Sequence, residues 1–168
     1  MKRMTAALTV AAAVVLSASL FAQAKPNFSG KWMQDQEKTM AANPNMGGGG
    51  GGGARGGGGA GGGGMAPMPT VITMDATTLK IERNVGGNAL VSTYKLDGSE
   101  SKNMGMGRGG APGAEQVSHA KIDGAKVVIT TTTANGDQVS SWYMDGDWLV
   151  SERTTQNGAQ KTYYKKAS

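Results

Sequence analysis

The chain has 168 residues, 28 of them glycine, no cysteine, and a formal charge of +5. Without cysteine there is neither a disulfide framework nor a lipid-modified cysteine, so the folded part must stand on its own core. The charge excess is mild, and basic residues cluster only at Lys161, Lys165 and Lys166. A nucleic-acid groove needs a denser basic stripe interleaved with aromatic platforms, so nucleic acid is not an expected partner.

Lys2 and Arg3 precede an apolar stretch over residues 6–21, followed by Ala22-Gln23-Ala24. A basic n-region, an apolar h-region and an A-x-A site read as a secretory signal peptide over residues 1–24, cleaved before Lys25. The expectation is a periplasmic or secreted protein exported by the Sec route and not a lipoprotein. The h-region falls short of the roughly 20 apolar residues of a spanning helix, and no later segment has that character. The remainder, residues 25–168, is about the size of one domain that buries roughly 65–70% of its unfolded surface.

The mature chain begins K-P-N-F-S-G-K-W, with Trp32 two residues after Gly30. Residues 36–45 are polar, suit a helical turn or a loop, and end against Pro44. Residues 46–65 form a low-complexity insertion that is almost entirely glycine. Such a segment has no side chains to pack and the most backbone entropy to lose, so a disordered loop is expected. Loop-closure entropy grows only as the logarithm of length, so the insertion is compatible with a folded domain around it.

From Thr70 onward the pattern is that of strands. Val71 to Met74 is one. Leu79, Ile81 and Val85 alternate with Lys80, Glu82 and Asn84, a period of two. Gly86-Gly87-Asn88 turns the chain into a strand carrying Leu90, Tyr94 and Leu96, and Asp97-Gly98 turns it again. Residues 104–113 read as a second glycine-rich loop. Residues 123–158 then repeat at an offset of 22: Asp123-Gly124 returns as Asp145-Gly146, Val127 as Leu149, Thr132-Thr133 as Thr154-Thr155, and Asn135-Gly136 as Asn157-Gly158. Asp-Gly and Asn-Gly are strong hairpin signals of the type I′ turn, and the runs between them are rich in Val, Ile, Thr, Trp and Tyr, which suit strands. Gln160 to Lys166 makes a last strand. Sequential hairpins give an all-β, up-and-down antiparallel meander. Closing it into a barrel of eight or nine strands removes its edges.

Asn27-Phe28-Ser29-Gly30-Lys31-Trp32 resembles the G-x-W start of lipocalins and other calycins. The rest of the mature chain is similar to small bacterial lipocalin-like proteins. The resemblance implies a barrel whose closed end is built on Gly30 and Trp32. It also implies a late arginine stacked on that tryptophan, for which Arg153 is the candidate. The T-D-Y motif of typical lipocalins is absent, and no residues match the biotin site of avidin.

Candidate chemistry is sparse. His119 is alone, and no G-x-S-x-G occurs. Asp145 and Asp147 flank Gly146 as turn residues. A non-enzymatic protein without a cofactor follows. Met65, Met68, Met104 and Met106 offer soft thioether donors of the kind that select Cu(I), a minor reading without further ligands; no metal site is assigned. Tyr94, Trp142 and Trp148 lie on strands, and a small barrel encloses either a packed core or one small ligand. The function expected is a monomeric exported barrel that binds a small hydrophobic or amphipathic molecule at Tyr94, Trp142, Trp148 and Arg153. The alternative is an envelope-associated interaction protein acting through its outer surface and glycine-rich loop. Val127, Ile129, Leu149 and Arg153 share one face. If that face is the inner one, Arg153 either stacks on Trp32 or meets an acidic ligand. The opposite face, with Trp148 and Val150, is the competing choice.

Overall fold

A computed structural model describes residues 25–44, 69–85, 87–106, 112–133, 136–155 and 158–167. The segments read as signal peptide and glycine-rich insertion lie outside them. The described chain is all-β apart from one short helix. Its strands are β1 (Gly30–Asp35), β2 (Thr70–Met74), β3 (Thr78–Val85), β4 (Asn88–Lys95), β5 (Asp97–Met106), β6 (Pro112–Asp123), β7 (Lys126–Thr133), β8 (Gly136–Asp145), β9 (Trp148–Thr155) and β10 (Gly158–Lys166); the helix is α1 (Gln36–Ala42).

All ten strands form one antiparallel meander in the order β4-β3-β2-β1-β10-β9-β8-β7-β6-β5. Every ladder joins chain neighbours except one. β1 pairs with β10, Trp32 opposite Lys166 and Asp35 opposite Tyr163, and this brings the two ends of the described chain together. The sheet curls until β4 and β5 meet. There the barrel is nearly closed by side chains instead of a backbone ladder. Asn103 accepts from the Thr93 amide at 2.7 Å and donates to the Thr93 carbonyl at 3.0 Å, and Ser101 Oγ accepts from the Lys95 amide at 2.9 Å.

β5 is the strand the sequence pattern does not show. Its stretch Ser99-Glu-Ser-Lys-Asn103 lacks an apolar alternation, and Asp97-Gly98 and the Met104–Gly113 glycines read as turn and loop. Its inward positions are Ser101, Asn103 and Gly105, which serve the seam and the interior and not a hydrophobic core. Gly98, at φ +84°, sits in a register irregularity of β5 and not in a hairpin turn.

The Asp-Gly turns also differ from the type I′ expectation. Asp123 pairs with Lys126 and Asp145 with Trp148, so each aspartate ends a strand. The central pairs are Gly124-Ala125 and Gly146-Asp147. Positive φ is confined to the first of each, at +60° for Gly124 and Gly146. That is the pattern of a type II′ turn, which needs glycine at the first central position only.

α1 starts at Asp35, whose carboxylate accepts from the Lys38 amide at 2.8 Å, an N-cap bond. Pro44 follows its end. The helix region completes the edge of β10 where β1 stops. Asn43 accepts from the Lys161 amide at 2.9 Å and donates to the Lys161 carbonyl at 2.6 Å, while Thr39 Oγ1 accepts from the Tyr163 amide at 3.0 Å. Backbone groups that would be orphaned at a strand edge are thus paired by side chains.

One end of the barrel is plugged. Phe28 and Leu79 are fully buried, and Trp32 and Ile72 nearly so, in one cluster with Met74, Leu96, Val127 and Leu149. Trp32 Nε1 donates to the Phe28 carbonyl at 2.8 Å, and Ser29 Oγ accepts from the Met74 amide at 2.9 Å. Among the described residues the cation nearest the Trp32 ring is Lys166 Nζ, 6.0 Å from its centroid. The expected Arg153 stack on Trp32 is not formed, because Arg153 faces Gln160 and Ser140 across its ladders, well along β9 from the plug. Trp32→Ala should destabilise the fold by about 3–5 kcal/mol, the range for emptying a buried aromatic site. Chemical denaturation checks it; a change within about 0.5 kcal/mol would place Trp32 outside the structural core.

Candidate functional site

The interior changes character along the barrel axis. Inward side chains at alternate positions are apolar near the plug and polar toward the far end. Along β7 they run Val127, Ile129, Thr131; along β8, Trp142, Ser140, Gln138; along β9, Leu149, Ser151, Arg153; along β10, Tyr164, Thr162, Gln160; along β3, Leu79, Ile81, Arg83. The ladders set these residues side by side, with Ile129 opposite Ser140, Ser140 opposite Arg153, and Arg153 opposite Gln160.

The polar half is hollow. A cavity of about 320 Å³ lies among β3–β10, lined by Ser92, Asn103, Gln116, Ser118, Thr131, Gln138, Ser140, Ser151, Gln160 and Thr162. Its apolar patches come from Leu90, Tyr94, Met104, Ile129, Trp142 and Tyr164, and Arg83 and Arg153 project charge into it. Trp142 and Tyr164 stack with centroids 5.8 Å apart and planes at 24°. Arg83 Cζ stands 5.9 Å from the Trp142 centroid, within cation–π range. Ser118 and Thr131 hydroxyls meet at 2.9 Å. No buried side-chain polar atom among the described residues lacks a partner.

Tyr164 carries the electrostatic signature of the site. Burial pushes its phenol above the ordinary value of about 10, because the phenolate is the form that loses water, while the nearby Arg83 and Arg153 guanidinium groups pull in the opposite direction.

The sequence candidates divide between the two faces of the sheet. Tyr94, Trp142 and Arg153 line the cavity. Trp148 does not. It lies outside, edge-on to Tyr163 at 6.3 Å, with Lys38 Nζ 4.5 Å and Lys165 Nζ 4.6 Å from its ring centre. Its parity decides this. Leu149 and Arg153 face in, so Trp148 and Val150 face out. Val150 is nonetheless fully buried, between its ladder partners Tyr143 and Tyr163. Gly30 takes φ +145° just ahead of Trp32 at the plugged end. His119 is exposed, its Nδ1 3.0 Å from the Gly98 carbonyl. Met104 borders the cavity; Met65 and Met68 lie outside the described residues, which contain no group of three or more His, Cys, Asp or Glu placed to hold a metal ion.

Arg83 and the glutamines of the wall were missed from the sequence. Polar residues on strands read as solvent-facing, yet Arg83 is two after Ile81 and Gln138 four before Trp142. The period of two was the available signal.

No protein-family model matches the sequence, and no curated protein does either. Solved structures share the fold. The REP1-NXSQ fatty acid transporter superposes with TM-score 0.56 at 15% identity, over 83% of this chain and 96% of that one. A Schistosoma mansoni fatty acid binding protein in complex with arachidonic acid gives 0.56 at 17%, over 84% and 96%. Zebrafish ileal bile acid-binding protein complexed with cholic acid gives 0.52 at 16%, over 83% and 98%. At such identities the likeness is one of fold. By name these neighbours are binding or transport proteins.

Raised phenol values carry a stability consequence. The folded state holds the Tyr164 proton to higher pH than the unfolded chain does, so the unfolded state binds fewer protons above its own tyrosine value. Stability is then complete below about pH 10 and falls as pH rises past it. Tyr164→Phe should flatten that alkaline decline in thermal midpoint. An unchanged slope in the variant would show that Tyr164 is not held neutral by burial.

Proposed function

We propose that this chain is an exported, monomeric lipocalin-like barrel that binds a small amphipathic molecule in its polar-ended cavity. The observation that carries the reading is the barrel that is plugged by Phe28 and Trp32 at one end and hollow at the other. A packed interior would have left only the outer surface for function. A cavity of about 320 Å³ sits at the small end of the range for ligand pockets. Its wall offers stacked aromatic rings on one side and hydroxyl, amide and guanidinium groups on the others, which suits a ligand with both characters. Neighbours of the same fold are described with arachidonic acid and cholic acid, so the architecture accommodates such occupants.

Export rests on the residue 1–24 pattern of basic, apolar and A-x-A segments. No catalytic constellation is assigned; the site holds and releases.

Native mass spectrometry of the protein purified from its own compartment tests both parts. The expected spectrum shows a chain beginning at Lys25 with a small mass retained under gentle conditions and lost on denaturation. A protein that carries nothing, and whose Trp142 emission responds to no member of an amphipathic panel, would overturn the binding reading. A chain still beginning at Met1 would overturn the export reading alone.

A further inference from the structure

The charges around the cavity are one-sided. Arg83 and Arg153 line it and both act on Tyr164. No aspartate or glutamate lines it. All 12 acidic side chains of the chain fall within the described residues, so the remaining segments hold no carboxylate side chain that could fold over as a counter-charge. The ion pairs of the described residues are built by lysines on the outer surface, such as Lys161 with Glu152 and Lys165 with Asp35, and involve neither arginine.

The polarity of the wall is a second, independent constraint. Ten of the lining residues are Ser, Thr, Asn or Gln. An alkyl chain laid against them would strip their water and return no hydrogen bonds, which is unfavourable. A ligand with its own hydroxyl or phosphoryl oxygens replaces that water bond for bond. The stacked apolar surface is the Trp142–Tyr164 pair with Ile129 beside it, enough for one ring face, and Leu90, Tyr94 and Met104 add separate apolar patches elsewhere on the wall.

We infer that the cavity selects a compact, hydrogen-bonding acid: a single ring or similarly short body that carries a carboxylate or phosphate, held by Arg83 and Arg153 and stacked on the Trp142–Tyr164 platform. The inference rests on the binding reading above and narrows its ligand class, away from long-chain fatty acids. Two guanidinium groups in a concave wall focus positive potential, and each presents a planar fork that matches carboxylate or phosphate oxygens. Arg83 lines the cavity with its Cζ 5.9 Å from the Trp142 ring centre, which places one guanidinium beside the aromatic pair.

The test uses the full mature chain and four probes: 4-hydroxybenzoate, 4-hydroxybenzamide, phenyl phosphate and palmitate. Tryptophan fluorescence and calorimetry give the affinities. One or both anionic ring probes should bind about tenfold or more tighter than the amide, the scale of a charge-assisted hydrogen-bond pair. Which of the two binds more tightly distinguishes carboxylate from phosphate. Palmitate should bind no better than the preferred ring acid. Added salt should weaken the acids and leave the amide unchanged. Arg83→Gln and Arg153→Gln should each reduce the preference for acid over amide, and the double variant should abolish it. Arg153 is exposed, so its variant should fold; if Arg83→Gln does not, the Arg153→Gln and salt arms carry the test.

Equal binding of 4-hydroxybenzoate and its amide, or palmitate bound far more tightly than every ring acid, would overturn this inference and leave the barrel a binder of another class. Absence of binding by all four, together with no retained molecule in the native spectrum, would overturn the binding reading as well.

Discussion

Closure of this barrel depends on the pairing of β1 with β10. Every other ladder joins consecutive strands and can form locally. The β1–β10 ladder unites residues about 130 positions apart, Trp32 with Lys166 and Asp35 with Tyr163. Contacts of such sequence separation form late and slowly. Once made, this one fixes the curvature of the sheet, because it forces the plug residues Phe28 and Trp32 over the end of the interior. It also explains α1. β1 is only six residues long and leaves the upper part of β10 without a neighbour. Thr39 and Asn43 supply the missing donors and acceptors from the helix region. Across the barrel, Asn103 and Ser101 do the same for β4. Two gaps in the ladder are thus bridged by short polar side chains in the plane of the sheet.

With the strands fixed, side-chain parity determines the rest. The inner rows of β3, β7, β8, β9 and β10 begin with aliphatic or aromatic residues beside the plug and end with Thr, Gln or Arg. Burial of the first half drives folding. The second half contributes less, since its polar groups gain little over water, and it remains hollow. The packed core and the cavity therefore occupy different ends of the same strands. The outer face is a separate system. Tyr143 donates to Glu152 at 2.7 Å and Lys161 lies 3.5 Å from the same carboxylate; the hydrogen bond from Tyr143 is the main reason that carboxyl sits below its ordinary value. These contacts are partly exposed and of modest energetic weight.

The fold was largely legible in the sequence, because the Asp-Gly and Asn-Gly turns and the β-branched runs between them recur at a fixed offset. Where reading failed, the physics differed from the pattern being sought. β5 lacks hydrophobic alternation because its inner side chains close a seam and face a cavity. The turns are type II′ because each aspartate is the last strand residue and only the glycine must take positive φ. At the candidate site, Arg153 is legible through its shared parity with Leu149, and Tyr94 and Trp142 as aromatic residues on strands. Trp148 was included for its chemistry, against its parity. Arg83 and the wall glutamines went unseen because a polar side chain on a strand usually faces water, and only a cavity reverses that expectation.

The proposed binding places a ligand in the interior and none on the aromatic outer face. The direct measurement is NMR shift mapping during titration with 4-hydroxybenzoate, following the indole signals of Trp142 and Trp148. Trp142 is buried at 3% exposure beside the cavity, whereas Trp148 lies outside among Lys38, Lys165 and Tyr163. The account predicts saturable shifts at Trp142, Tyr164 and the Arg153 side chain, with Trp148 unmoved. Shifts concentrated at Trp148 and Tyr163, with Trp142 unmoved, would contradict it and place recognition on the outer surface.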